Sequence, residues 1–446
     1  MTARVIQTSQ EYATSIWRAA EPLTAVTAPE VSIVIGDQRR PDRFRGFGGA
    51  FTESSAYVWS GLSRDKQQEI MRAYFDTEHG IGYTFGRTHM NSCDFSLDNY
   101  SAVNIPGDKM LWSFSSEREK QYLWPFIQAA YTAAGTDIPL LLSPWSPPAW
   151  MKTNQSMNNG GSLLPECRDA WALYFVRYIA ELRDNGFTVF GVTVQNEPEA
   201  TQTWDSCRYS SADEALFIKD YLGPLFVTKG MQEIAIYFWD HNRDEMYTRA
   251  VDVLADPETA QFITGQAIHW YSGDQFDLVE KTKQTYPDKE IIFTEGCIEG
   301  GVKLGQWDRG EIYAHNIIGD LNAGVTLWLD WNMVLDLQGG PNHVGNYCDA
   351  PVVADPATNT VHYQSSYAYI GHFSRYIQSG AVCLSCEVTD PDSGLEVTAF
   401  RNVDGSIVSV ILHRGNDATT AALRMSQDEV VHVAIPAHSI TTVILS

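Results

Sequence analysis

The segment 189–198 reads VFGVTVQNEP, a run of strand-forming residues followed by an asparagine, a glutamate and a proline. A second segment of the same design, 290–296, reads EIIFTEG. Short runs rich in Val, Ile and Phe are typical of strands buried in a parallel sheet. The two segments therefore place Glu197 and Glu295 at the carboxyl ends of two strands.

The stretches around these segments alternate short apolar runs with longer amphipathic ones, which indicates strands and helices in turn. The predicted strands are 44–51, 82–89, 139–144, 189–195, 234–239, 265–270, 290–294 and 325–331. Helices are predicted at 64–75, 118–134, 167–185, 212–229 and 309–322. Eight such units predict an α/β fold of the (β/α)8 TIM-barrel type. A doubly wound sheet is the alternative, but no Gly-rich dinucleotide turn supports it.

The glycine run at 46–49, GFGG, could be mistaken for a phosphate-binding loop. It lacks the lysine and threonine that such a loop needs. A tightly packed first strand is the better interpretation.

The pattern changes near residue 376 to short alternating strands, which is typical of an antiparallel β domain. Strands are predicted there at 395–400, 407–412, 430–435 and 441–445, and one more at 31–35 near the amino terminus. We therefore predict a β-sandwich built from both chain termini, with N-terminal strands in 1–45, the barrel in 46–375 and the C-terminal sandwich in 376–446. No linker separates these parts, so we expect them to pack rigidly.

The composition favours a soluble protein with a large core and an aromatic surplus. The 446 residues are 44% hydrophobic and include 13 tryptophans and 21 tyrosines, more than packing ordinarily needs. Aromatic planes also pack against the apolar faces of sugar rings. The formal net charge of −24 would repel a polyanion, so nucleic acid is excluded as an expected partner.

The sequence carries few signs of export or of cofactor binding. The N-terminal stretch has no apolar run of signal-peptide length, and no segment is long enough to span a membrane. Seven scattered cysteines fit reduced thiols better than a disulfide framework, so we expect a cytoplasmic protein. No cofactor and no metal are predicted, and the oligomeric state is left open.

Polar and aromatic residues cluster where the predicted strands end, which is where a barrel of this type builds its active site. They are Arg87, His89, Trp145, Asn196, Glu197, Asp240, His241, His269, Trp270, Tyr271, Glu295, Trp331 and Asn332. A packed core would end its strands in apolar residues instead. The pattern therefore predicts a binding site at this end of the barrel.

Two carboxyl groups on separate strands suit glycoside hydrolysis with retention, which needs one proton donor and one ionised nucleophile. We assign Glu197 as the acid/base, which requires a raised pKa, because the amide of Asn196 beside it suits a sugar 2-hydroxyl. Glu295 is assigned as the nucleophile, held ionised by Arg87 and Tyr271. Arg87 as a purely structural ion pair is an equal alternative.

Two hypotheses from other classes compete with this one. The first is a carbohydrate-binding protein on a barrel that has lost its catalytic activity. Such a protein would usually have lost one of the two glutamates. A metal-dependent hydrolase could be built on Asp240, His241 and His269, but no HExxH or similar ligand pattern supports it.

Several long segments resemble those of glycoside hydrolase family 30, and most closely its glucosylceramidase (acid β-glucosidase) group. The matching segments are 46–50 (GFGGA), 92–96 (SCDFS), 143–154 (SPWSPPAWMKTN), 196–198 (NEP), 269–271 (HWY), 305–310 (GQWDRG), 330–332 (DWN) and 339–342 (GGPN). The resemblance covers nearly the whole chain. It implies a barrel with a β-sandwich and hydrolysis of β-glucosidic bonds with retention through a covalent glycosyl-enzyme.

The resemblance also implies roles for individual residues. Glu197 matches the family's acid/base and Glu295 its nucleophile, and Tyr271 matches a tyrosine near the nucleophile. The remaining matches line the pocket for the sugar: Arg87, Asp94, Trp145, Asn196, Trp331 and Asn342. Other members of the family cleave β-1,6-glucans, β-xylosides and small β-glycosides, so the aglycone is left open. We expect it to be decided by the loops 154–165, 202–209 and 335–349.

Overall fold

Eight parallel strands of the central region close into a barrel, and helices cover its outside. The computed structural model describes residues 2–13, 16–24, 31–425 and 429–446. The strands in these ranges are β1 (Ala3–Ser9), β2 (Arg18–Ala20), β3 (Val31–Arg43), β4 (Gly46–Phe51), β5 (Phe85–Met90), β6 (Leu140–Pro144), β7 (Val189–Thr193), β8 (Ala235–Asn242), β9 (Gly265–His269), β10 (Glu290–Glu295), β11 (Leu327–Asp330), β12 (Val334–Leu335), β13 (Val352–Asp355), β14 (Thr360–Tyr363), β15 (Val382–Val388), β16 (Leu395–Arg401), β17 (Ile407–His413), β18 (Thr419–Arg424), β19 (Val430–Ile435) and β20 (Ser439–Leu445). The helices are α1 (Glu53–Ser60), α2 (Arg64–Phe75), α3 (Glu117–Gln121), α4 (Leu123–Ala134), α5 (Arg168–Asp184), α6 (Ser211–Phe217), α7 (Gly223–Thr228), α8 (Met246–Leu254), α9 (Pro257–Ala260), α10 (Phe276–Thr285), α11 (Asp308–Ala323) and α12 (Ser365–Ser374).

The barrel strands follow the order β10-β11-β4-β5-β6-β7-β8-β9, and each neighbouring pair is parallel. All eight strands predicted from the sequence are barrel strands, so the predicted (β/α)8 fold is confirmed. The small sheet β12-β13-β14, in the region after β11, was not predicted.

The glycine-rich first strand is packed as tightly as its composition indicates. A Cβ atom on Gly48 would lie 2.0 Å from the carbonyl oxygen of Phe85, and one on Gly49 would lie 2.7 Å from Cγ of Met333. No real Cβ contact is that short, so only glycine lets β4 approach its neighbours here.

The two chain ends build one nine-stranded sheet with the order β19-β18-β3-β15-β16-β17-β20-β1-β2. The sheet folds over on itself, since Gln7 Nε2 on β1 donates a 2.6 Å hydrogen bond to the carbonyl of Ala434 on β19. Its apolar residues form a core of their own, which includes Ile33, Leu384 and Ile411. The predicted β-sandwich from both termini is therefore present.

The strands that the sequence analysis missed in this sheet are β1, β2, β15 and β18. β15 reads VCLSCEV and β18 reads TTAALR, and neither alternates cleanly between apolar and polar residues. The predicted boundaries 1–45, 46–375 and 376–446 stay predictions, and residues 1, 14–15, 25–30 and 426–428 lie outside the described ranges.

His372 on α12 joins the barrel to the sandwich through both ring nitrogens. Nδ1 lies 2.8 Å from Oγ1 of Thr442 on β20, and Nε2 lies 2.8 Å from Oγ1 of Thr8 on β1. The Thr442 hydroxyl donates to the carbonyl of His372, so Nδ1 must be the donor to Thr442 and Nε2 the acceptor from Thr8. The network therefore fits the neutral imidazole.

We expect His372 to weaken the folded state in acid. Burial, with a smaller contribution from the charge of Arg375, lowers its pKa from 6.5 to about 3. Between these values the unfolded chain binds a proton that the folded chain does not, so stability falls as pH decreases through this window, by ~1.4 kcal/mol per pH unit from this group. Urea unfolding of the wild type and of His372→Gln between pH 7 and 4 measures the difference in slope. Parallel curves would contradict the expectation.

None of the helices in the described ranges combines the length and the apolar character needed to cross a membrane.

Candidate active site

A cavity opens at the carboxyl ends of the barrel strands, and both predicted glutamates line it. It encloses about 580 Å³ of empty space, mouth included. Its lining residues are Asp94, Trp145, Asn196, Glu197, Gln202, Trp204, His241, Asn242, Tyr271, Glu295, Cys297, Glu299, Trp331, Asn346 and Cys348. Seven of the nine predicted site residues are in this set. Arg87 and Asn342 are not, and both lie directly behind residues that are.

Arg87 is fully buried on β5 and organises the floor of the cavity with all three of its guanidinium nitrogens. Nη1 donates to Oε2 of Glu295 at 2.6 Å, and Nη2 donates to Oδ1 of Asn196 at 2.8 Å. Nη2 also donates to Oδ2 of Asp240 at 2.9 Å, and Nε donates to Ser143. Because its oxygen accepts from Arg87, the Asn196 amide has its nitrogen left to offer the cavity.

Glu295 ends β10 and receives two direct hydrogen bonds. Besides Arg87, the phenol of Tyr271 donates to Oε1 at 2.9 Å, as the sequence analysis expected. Burial raises the pKa of the Glu295 carboxyl group, the positive charges of His269 and Arg87 lower it, and the charge of Glu197 raises it again. The net direction is a rise above the usual value.

Glu197 follows β7 in a left-handed backbone conformation, with φ of +47°. Non-glycine residues rarely adopt it, and such strain is concentrated at functional sites. The backbone N–H of Glu197 donates to the carbonyl of Asp240 at 2.9 Å and that of Asn196 to the carbonyl of Pro144 at 2.8 Å. Contacts with the neighbouring strands β6 and β8 therefore hold the turn that presents Glu197.

Two imidazoles face the Glu197 carboxyl group. Nδ1 of His269 lies 3.3 Å from Oε1 of Glu197, and Nδ1 of His241 lies 3.8 Å from the same oxygen. Burial favours a raised pKa for Glu197, but the hydrogen bond with His269 and the charges of the two histidines outweigh it, so the pKa is lowered.

Asp240 links Arg87 to His269, because its carboxylate contacts both side chains. It is fully buried and accepts hydrogen bonds from Arg87, Thr193 and Thr294, and it lies 3.1 Å from Nε2 of His269. Burial alone would raise the pKa of Asp240, but Arg87 and His269 hold it well below its usual range.

His269 is therefore held between two carboxylates. Burial would lower its pKa, but the charge of Glu295 and the hydrogen bonds with Asp240 and Glu197 raise it to about 9. The imidazole consequently carries a proton near neutrality, next to Glu197.

These directions differ from the sequence expectation of a raised pKa at Glu197 and an ionised Glu295. The reason is that His241 and His269 converge on Glu197 and lower its pKa, whereas burial, followed by the charge of Glu197, raises the pKa of Glu295. With these pKa shifts, the proton between Glu197 and His269 lies on His269.

The apolar floor consists of Trp145 and Trp331, as the resemblance implied. The rings are stacked with centroids 5.1 Å apart and planes 20° apart, and each residue is 2% exposed. The Arg87 guanidinium lies 4.7 Å from the Trp145 ring centroid, a favourable cation–π distance.

Asp94 also lines the cavity, and two asparagines donate hydrogen bonds to it. Nδ2 of Asn342 donates to Oδ2 of Asp94 at 3.2 Å, and Nδ2 of Asn346 reaches the same oxygen at 3.4 Å. Asn346 lines the cavity, so Asn342 acts through Asp94. Burial and the charge of Glu295 raise the pKa of Asp94 to about 8, which makes it a hydrogen-bond donor as well as an acceptor near neutrality.

No pattern in the sequence indicated which residues lie at the mouth of the cavity. They include Gln202 and Trp204 from the loop 202–209, and Asn346 and Cys348 from the loop 335–349. Both loops had been predicted to decide the aglycone, but no signal distinguished these side chains within them. Residues of the third predicted loop, such as Gln155 and Leu164, line a separate cavity with Trp150 and Tyr100.

Comparisons with known proteins identify the family of the chain. The sequence models for the glycosyl hydrolase family 30 TIM-barrel domain and β-sandwich domain match residues 44–377 and 380–443. The chain is 32% identical over 437 residues to lysosomal acid glucosylceramidase of Mus musculus, covering 93% of this chain and 84% of that protein. It is 26% identical over 423 residues to endo-1,6-beta-D-glucanase of Neurospora crassa, covering 91% and 86%.

A solved structure also matches over the whole chain. SrfJ from Salmonella typhimurium superposes with a TM-score of 0.93 at 34% identity, covering 100% of this chain and 99% of that one. With the family models covering both the barrel and the sandwich, the chain belongs to glycosyl hydrolase family 30 and is a glycosyl hydrolase.

Proposed function

We propose that this protein is a retaining β-glucosidase of the glucosylceramidase type, which works through a covalent glycosyl-enzyme. The observation that carries the proposal is the placement of Glu197 and Glu295 in one cavity, each with a different set of hydrogen-bond partners. Retaining glycosidases need two carboxyl groups with such unequal environments. A protein that only binds carbohydrate does not need two carboxyl groups in different environments.

In the first half-reaction the Glu295 carboxylate attacks the anomeric carbon while Glu197 protonates the leaving oxygen. Arg87 and Tyr271 hold Glu295 in one orientation through the 2.6 Å and 2.9 Å hydrogen bonds. The C1–O bond to the aglycone breaks, and an ester bond from C1 to Glu295 forms. The amide nitrogen of Asn196 is placed to donate to the sugar 2-hydroxyl as positive charge develops on the ring.

The proton for this step comes from the pair of Glu197 and His269. His269 holds a proton 3.3 Å from Oε1 of Glu197, and its transfer produces the neutral carboxylic acid that the leaving group requires. Interacting groups of this kind titrate as a unit. The lowered pKa of Glu197 in the empty site is therefore compatible with its role as the acid.

In the second half-reaction Glu197 accepts a proton from water, and the water oxygen attacks C1. The ester to Glu295 breaks, the carboxylate regains the hydrogen bonds of Arg87 and Tyr271, and the sugar leaves with its β configuration. The stacked pair Trp145 and Trp331 supports the sugar ring through both steps.

For the aglycone, the similarity to mouse glucosylceramidase favours glucosylceramide, and the similarity to the fungal endo-1,6-beta-D-glucanase makes β-1,6-glucan the second candidate. Both candidate substrates contain β-linked glucose, so the residues that bind this sugar do not distinguish them. A screen with resolved products decides between them, using glucosylceramide, gentiobiose, β-1,6-glucan, and aryl glucosides and xylosides. Turnover of none of these would contradict the proposal.

The stereochemistry of the first-formed product is the direct test of the mechanism. We expect proton NMR of an aryl β-glucoside digest to show β-glucose before mutarotation produces the α-anomer. For retention the two carboxyl groups work at a separation of ~5 to 5.5 Å. Release of α-glucose first would identify an inverting enzyme and overturn the mechanism.

A further inference from the structure

Three potential metal ligands converge on the cavity wall around the catalytic acid. We propose that Glu197, His241 and His269 form a binding site for a transition-metal dication of the Zn²⁺ type, and that occupancy of this site inhibits the enzyme. The inhibition rests on the proposed role of Glu197, whereas the binding rests only on the geometry.

The spacing of the ligand atoms fits such an ion. One ligand atom each from Glu197, His241 and His269 lie within 4.8 Å of one another. The separations from Oε1 of Glu197 to Nδ1 of His269 and to Nδ1 of His241 are 3.3 Å and 3.8 Å. Ligands at about 2.0–2.2 Å from a tetrahedral ion lie about 3.3–3.5 Å apart, so only small side-chain movements are needed.

His269 has the outer partner that metal-ligating histidines usually have. Its Nε2 lies 3.1 Å from Oδ1 of the buried Asp240, which leaves Nδ1 directed at Glu197. A carboxylate behind a histidine fixes the ring orientation and raises the basicity of the ligating nitrogen.

Nδ1 of His241 is an independent indication that a ligand binds here. Its Nδ1 is buried and has no hydrogen-bond partner among the described residues, although it faces Glu197 at 3.8 Å. A buried, unpaired imidazole nitrogen is costly unless a ligand or water completes it. Zn²⁺ takes neutral imidazole nitrogen readily.

Charge and access both favour a dication at this position. The carboxyl groups of Glu295 and Asp240 lie close to the three ligands, and Arg87 forms ion pairs with both. Both His241 and Glu197 line the cavity, so an ion can enter from the mouth. Three protein ligands leave a fourth position open toward the cavity, as in sites of the His₂Glu type.

An ion bound here occupies the Glu197 oxygen that has to carry the proton for the leaving group. The acid then has nothing to donate to a leaving group. We therefore expect Zn²⁺ to inhibit hydrolysis reversibly, and EDTA to restore it.

Binding is measured without reference to activity, by titrating the protein with Co²⁺ and recording the visible absorption of a tetrahedral complex. We expect such bands in the wild type and in His79→Gln, whose imidazole is 80% exposed and remote from the cluster. In His241→Gln we expect at least about tenfold weaker Co²⁺ binding, since losses of that size follow removal of even an outer partner. Equal Co²⁺ affinity in all three proteins, or no bands in any, would overturn the proposal.

A parallel assay compares the Zn²⁺ concentration for half-inhibition of aryl β-glucoside hydrolysis, each protein relative to its own metal-free rate. We expect this concentration to rise in His241→Gln and to stay unchanged in His79→Gln. Co²⁺ binding without any glucosidase activity would leave the site standing and reject the proposed function. Activity that Zn²⁺ does not affect would reject inhibition through this site.

Discussion

Glu295→Gln is expected to abolish hydrolysis of aryl β-glucosides while the protein stays folded. The amide keeps the size of the side chain, and its single oxygen can still accept from Arg87 while its nitrogen faces the Tyr271 hydroxyl, but it cannot form the ester to the sugar. We expect kcat to fall by more than about 10⁴-fold, a loss of the order found when a covalent nucleophile is removed. Steady-state kinetics, with circular dichroism as the check on folding, measures the effect.

Glu290→Gln is the matched control, because Glu290 begins the same strand and faces the other end of the barrel. There it accepts hydrogen bonds from Arg45 and Tyr237, so the same substitution alters charge without touching the cavity. We expect this variant to keep most of its activity. Near wild-type turnover by Glu295→Gln would reject the assigned nucleophile.

Azide distinguishes the two glutamates from each other. In Glu295→Gly, azide enters in place of the nucleophile and should give an α-glycosyl azide from an activated β-glucoside. In Glu197→Gly, the covalent intermediate still forms, so azide should give the β-glycosyl azide. The opposite pairing of anomers would exchange the two roles.

Arg87→Met is expected to damage both the fold and the activity. The substitution leaves the carboxylates of Asp240 and Glu295 buried without their cation, where each had accepted a hydrogen bond of 2.9 Å or shorter. Removing one partner of a buried ion pair typically costs ~3 to 5 kcal/mol, because the remaining charge is uncompensated. We expect a loss of that size in the free energy of urea unfolding.

Arg87→Lys tests the positive charge of Arg87 separately from the planar shape of its guanidinium group. The ammonium group restores a positive charge but cannot reach Glu295, Asn196, Asp240 and Ser143 together, as the planar guanidinium does. We expect stability to recover in part and kcat to stay low. If Arg87→Met unfolds at the wild-type urea concentration, the cluster contributes nothing to stability.

The barrel and its two glutamates could be predicted because their signals are local. Each barrel strand is a short apolar run, and each glutamate follows such a run directly, as in VFGVTVQNEP. The end of a parallel strand is a fixed place in this fold, so neighbours in space such as Arg87, Tyr271 and Glu295 could be expected together.

Asp240, His241 and His269 were predicted at this end of the barrel, but how they contact Glu197 could not be predicted, because the strand that carries Asp240 and His241 is irregular. The pairing of β8 with β9 shifts between Trp239 and His241, and Trp239 and Asp240 have φ values of +75° and +50°. A bulge of this kind re-aims side chains, so strict alternation along the segment misplaces Asp240 and His241. The link from Asp240 through His269 to Glu197 exists only because of that local geometry.

The loops at the cavity mouth were unpredictable for a different reason. Trp204, Asn346 and Cys348 lie in segments without a repeating apolar pattern, and their positions depend on contacts with other loops. The isolated antiparallel β-bridge between the backbones of Glu299 and Cys348 is one such contact. The spacing of apolar residues around Glu299 and Cys348 does not indicate this pairing.

The pairing of the first strand with the last sets an order of events during synthesis. β1 and β20 are paired from Ala3 with Leu445 to Ser9 with Ser439. The ribosome synthesises β1 before β20, so β1 can pair with β20 only after the part of the chain between them has been translated. The barrel strands, from β4 to β11, are complete more than a hundred residues earlier in translation. The sandwich is therefore assembled last, against a barrel that already has all of its strands.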